Sequence, residues 1–105
     1  MSQATRSRVE CRTVQDVPGG WLCTVAVNYG PDHPDAGQTT EHEVRLAWCD
    51  HDFWSGGRLA PGDMTESVVR YLLSAKTPER LPLRFDAAKA RRWSPQIDTD
   101  LRTAG

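Results

Sequence analysis

Residues 9–29 read VECRTVQDVPGGWLCTVAVNY, and their alternation decides the fold. Val9, Cys11, Thr13 and Val17 fall on one side of an extended chain, and Glu10, Arg12 and Asp16 on the other; Val14 breaks the rule. Pro18-Gly19-Gly20 is turn chemistry, because glycine adopts positive φ without a steric penalty. Trp21, Cys23, Val25, Val27 and Tyr29 then share one face of a second strand. A three-residue loop closed by a glycine bulge sets Val17 opposite Trp21, Thr13 opposite Val25, Cys11 opposite Val27 and Val9 opposite Tyr29. A slip of one residue reverses the faces, so this register is the one expected.

Beyond the hairpin, 30–40 (GPDHPDAGQTT) carries two prolines and no apolar period, and reads as a loop. Glu41 to Cys49 resumes the alternation as a third strand, with Val44, Leu46 and Trp48 inward and Glu43 and Arg45 outward. Pro61-Gly62-Asp63 then opens a helix, with Asp63 at the cap and Glu66 three residues on, the spacing of a capping box. Met64, Val68, Val69, Leu72 and Leu73 form its apolar stripe. Pro78 and Pro82 end this helix and enforce an extended link. Asp86 caps a shorter helix onto which Phe85 staples, and Ile97 with Leu101 hints at one more helical turn.

The expected fold is therefore α+β: a three-stranded antiparallel β-meander packed by one main helix (63–76) with a short second helix (86–93). Residues 1–7 read as a disordered lead-in, 8–102 as a single domain and 103–105 as a frayed tail. A chain of 105 residues has room for one core.

Its formal net charge of −1 argues against the broadly basic surface of a typical nucleic-acid binder. The charge is unevenly placed: residues 1–57 hold four arginines against eight carboxylates, a net of −4, and residues 58–105 hold nine bases against six acids, a net of +3. Such a split either pairs within the fold or offers a positive side to an acidic partner. The polar start, Met1 to Arg8, has no apolar core of a signal peptide, and no window approaches a membrane span. Cys11, Cys23 and Cys49 form an odd set with no C-x-x-C pair, which suits free thiols in a reducing cytoplasm.

Chemistry concentrates in 48–58, WCDHDFWSGGR. Asp50, His51 and Asp52 are residue types that bind metals, with His33 or His42 as further donors, but no H-x-H or H-x-x-x-H spacing supports them. Cys49 with His51 or His42 has the components of a thiol nucleophile, yet no helix N-terminus is evident beside it to activate the sulfur. Ser55-Gly56-Gly57-Arg58 offers amides and a guanidinium to a phosphate but lacks the lysine of a P-loop. Trp and Arg are enriched in binding hot spots, so Phe53, Trp54 and Arg58, joined by Arg91, Arg92 and Trp93, suggest a docking surface.

The reading is a small non-catalytic protein-interaction or regulatory module, without a cofactor, that binds a protein partner through the 48–58 loop and the Arg-rich last helix. Its open sheet edges suggest a homodimer. The alternatives are a small metal-dependent enzyme centred on Asp50, His51 and Asp52, and a nucleic-acid-binding module.

Overall fold

The computed structural model describes residues 7–31, 36–75 and 80–104. Three strands, β1 (Arg8–Val17), β2 (Gly20–Asn28) and β3 (Thr39–Ala47), form the antiparallel meander. Two helices follow directly, α1 (Trp48–Ser55) and α2 (Pro61–Ala75). The chain returns as a short fourth strand, β4 (Arg84–Asp86), which runs parallel to β3 and makes the sheet mixed, in the order β1-β2-β3-β4. A 3-10 turn (Ala87–Lys89), α3 (Ala90–Trp93) and α4 (Ile97–Ala104) complete it.

The α+β class and the antiparallel meander hold, and the sheet gains one strand over the three expected. The extended link enforced by Pro82 supplies it. Glu43 N–H donates to the Leu83 carbonyl at 2.7 Å, and the His42 Nδ1–H donates to the Pro82 carbonyl at 2.8 Å. Ring nitrogen and main chain together dock this segment on β3.

The hairpin register differs from the expected one. Its loop is two residues, with Val17 opposite Gly20 and Asp16 opposite Trp21. That pairing alone would turn Val9 and Cys11 to the wrong face. A bulge between Cys11 and Thr13 leaves Arg12 without a partner and restores them, Cys11 to Val25 and Val9 to Val27. The same bulge explains Val14, which pairs with Cys23 and so lies on the helix-covered face despite its odd place in the alternation. Gly19 takes φ 80° in the turn. Gly20 is required for a different reason: a Cβ there would overlap the carbonyl oxygen of Leu46 on β3.

One face of the sheet is roofed by α2. Val25, Val27, Val44, Leu46, Val68, Val69 and Leu72 are all buried between them, with Met64, Trp54 and Ile97. Each such side chain contributes about 1.5–3 kcal/mol relative to exposure. The α2 stripe matches the expected one, and its start at Pro61 uses a missing N–H that the first turn does not need. The expected capping box is not formed. Asp63 lies inside the first turn, and the Glu66 carboxylate instead accepts from the Cys11 amide at 2.7 Å and from Arg70 at 2.8 Å. One outward amide of edge strand β1 is thereby satisfied within the chain.

The opposite face of the sheet is solvated and carries ion pairs, Arg84–Glu43 at 2.8 Å, Arg45–Asp86 at 3.5 Å and Arg12–Glu41 at 3.5 Å. Asp86 caps the 3-10 turn as expected, accepting from the Ala88 amide, and the Phe85 and Trp93 rings meet edge-on at 5.4 Å. Ile97 is buried within α4, which realises the extra turn hinted at by the Ile97–Leu101 spacing.

Candidate functional site

The segment 48–58 is a helix and its C-cap, where a strand end and a loop were expected. Its residues are weak helix formers, so the helix is held from outside. The Trp48 amide donates to the Gly19 carbonyl at 2.9 Å, which pins the helix start on the hairpin turn. At the other end Gly56 adopts the left-handed conformation, φ 61°, and its amide bonds to the Asp52 carbonyl.

A helix advances 100° per residue, so Asp50, His51 and Asp52 point in three directions. Asp50 is buried and pairs with Arg91 Nη1 at 2.7 Å. His51 donates from Nε2 to the Leu59 carbonyl at 2.6 Å and meets the Trp21 ring edge-on at 5.0 Å. Asp52 faces water. No ion can be shared by three side chains that diverge in this way. Among the described residues no group of three His, Cys, Asp or Glu side chains converges. His33 lies outside the described residues, and His42 is buried under the sheet between Pro82 and Thr40.

Trp54 is 2% exposed and belongs to the core. Its indole N–H donates to Asp98 Oδ1 at 2.7 Å, and the Arg91 guanidinium lies 4.6 Å from its ring centre. Arg91 in turn holds Asp98 through Nε at 2.8 Å. Burial opposes the charge on Arg91, and the carboxylates of Asp50 and Asp98 more than offset it, raising its affinity for the proton. This four-residue cluster ties α1, α3 and α4 together. It also consumes two of the six residues expected to face a partner.

The outer side of α1 is different. Trp48 is 59% exposed and Phe53 44%, with Cys49 and Asp52 exposed between them. The Phe53 ring carries the Arg102 guanidinium at 4.7 Å and the Arg91 guanidinium at 5.7 Å. A shallow groove of about 390 Å³ opens beside it, lined by Asp52, Phe53, Ser55, Arg58 and Arg102 among others. Among the described residues the Arg58 side chain bonds only through its Nε, to the Ser55 carbonyl at 3.3 Å. Neither Arg58 nor Arg102 has an acidic partner among the described residues.

Of the expected docking residues, then, Phe53 and Arg58 share the groove, Arg92 is exposed on α3, and Trp93 is half-buried against Phe85. Trp48 was expected to point inward and instead stands in water. Arg102 escaped the sequence reading because α4 was only hinted at there; its i, i+5 relation to the buried Ile97 was the available signal. The loop 55–58 has no free amides for a phosphate. Gly56 N–H goes to Asp52 O, Gly57 N–H to Ser55 Oγ and Arg58 N–H to Ser55 O. Among the described residues no hydrogen bond joins Cys49 to an imidazole: His51 is committed to Leu59, and His42 to Pro82 and Thr40.

Compared with known proteins, the chain matches no family model, no curated sequence and no solved structure. No helix among the described residues is long and apolar enough to cross a membrane.

Proposed function

We propose that this chain is a small non-catalytic interaction module that docks a partner polypeptide through the outer side of α1 and the adjoining groove. The supporting observation is the division of aromatic residues on one short helix: Trp54 is taken into the core, while Trp48 and Phe53 stand in water. A domain that can bury Trp54 so completely leaves its neighbours outside at a cost. Covering a large apolar side chain returns about 1.5–3 kcal/mol, which a partner's surface supplies. Trp and Arg are also the side chains that most often dominate binding energy. The Asp50–Arg91–Asp98 network behind Phe53 makes the platform rigid, so little ordering cost attends docking.

Selection of a random-peptide library on the immobilised protein tests this reading. Peptides enriched on the wild type and lost on Trp48→Ala or Phe53→Ala support it. Absence of enrichment, or enrichment indifferent to both variants, removes it.

A further inference from the structure

The geometry points to carboxylate recognition: we propose that the groove between Arg58 and Arg102 binds an acidic segment of the partner polypeptide, with Phe53 receiving an apolar side chain next to the carboxylate. This rests on the docking reading above and specifies the partner's chemistry. Half of the ten described arginines are already engaged. Arg12, Arg45, Arg70, Arg84 and Arg91 each pair with an acid of the same chain. Arg58 and Arg102 have none among the described residues, and both line the same groove. Among the described residues the Nη groups of Arg58 make no hydrogen bond, which leaves its fork open, and the Arg102 guanidinium lies 4.7 Å from the Phe53 ring centre at the same groove. A guanidinium so placed takes a carboxylate through two parallel hydrogen bonds.

The Asp52 carboxylate also lines the groove and opposes an incoming acid. Two cations against one anion leave the rim positive. A polynucleotide is the poorer fit. Nucleic-acid affinity grows with the number of phosphates neutralised, and the groove offers two guanidiniums on a chain of net charge −1.

Fluorescence anisotropy with labelled hexaglutamate, hexaglutamine and a ten-nucleotide oligothymidine discriminates these possibilities, run on the whole chain at low and moderate salt. Hexaglutamate is expected to bind, hexaglutamine not, and Arg58→Gln/Arg102→Gln to weaken the acidic probe at least tenfold with an unchanged melting temperature. Equal affinity in that double variant overturns the proposal, as does binding of the oligonucleotide in place of hexaglutamate. If library selection yields neutral peptides that depend on Phe53 but not on the two arginines, acid recognition falls and the docking module stands. An empty selection removes both.

Discussion

At the scale of single residues, α1 sorts neighbouring side chains by environment, and stability measurements read that sorting directly. Trp54 is packed against core residues and bonded to Asp98, so Trp54→Ala is expected to cost about 3–5 kcal/mol in urea unfolding. Phe53→Ala, one position earlier, removes a half-exposed ring and is expected to cost under about 1 kcal/mol. Equal losses would mean that Phe53 is a core residue and the groove a packing defect. The three thiols are sorted in the same way. Burial, and then the neighbouring Cys23, push the Cys11 thiol up to about 11, and burial raises Cys23 as well. Cys49 is exposed. A thiol reagent at pH 8 is expected to modify Cys49 rapidly in the native protein and the other two only after unfolding. Rapid modification of more than one thiol would contradict the packing of α2 over β1.

At the scale of elements, the hairpin shows how far alternation reaches. The sequence pattern identified both strands and the apolar face of β2. It placed the extra residue in the turn, whereas the chain places it at Arg12. Alternation is blind to this choice, because either position returns Val9 and Cys11 to the core face; Val14 was the only residue that marked the difference. Deleting Arg12 removes the unpaired residue and preserves all the other pairings, so the variant is expected to stay folded with a melting temperature within several degrees of wild type. Deleting Thr24 instead, on β2 where the pairing with β3 is unbroken, turns one half of that strand to the opposite face and should unfold the sheet. The reverse order of stabilities would refute the bulge.

Helix α1 was illegible for a related reason. The alternating run of β3 continues into Trp48 without a break, and the residues that follow have neither helical stripe nor helix propensity. Its helicity comes from distant partners, Gly19, Arg91 and Asp98, which no local pattern displays. β4 was hidden by its length of three residues. The long helix α2 and the Asp86 cap, whose signals are local, were read correctly.

At the scale of the whole molecule, the charge asymmetry along the chain is partly offset inside the fold. Glu43–Arg84, Arg45–Asp86 and Asp50–Arg91 each join the acidic first half to the basic second half. Two arginines of the basic half are left over at one groove, which is why a sequence with almost no net charge still presents a cationic spot. The pH dependence of stability is set by groups that resist ionisation when folded. Cys11 and Cys23 release their protons more readily in the unfolded chain, and the hydrogen bond from Tyr71 to Asp100, 2.5 Å long, raises the phenol likewise. Above pH 9 the unfolded state therefore holds fewer protons than the folded one, and stability falls as pH rises toward 11. Chemical denaturation between pH 7 and 11 is expected to show a flat stability up to about 9 and a decline beyond it. A rise over that interval would contradict the burial of the thiols.

The docking claim is tested most directly by mapping where a bound peptide sits. Backbone and side-chain resonances, followed by nuclear magnetic resonance during titration with a selected peptide, are expected to shift at Trp48, Phe53, Arg58 and Arg102 while those of the solvated sheet face stay still. Shifts confined to Thr24, Glu41, Glu43 and Arg84 on that face would contradict the account.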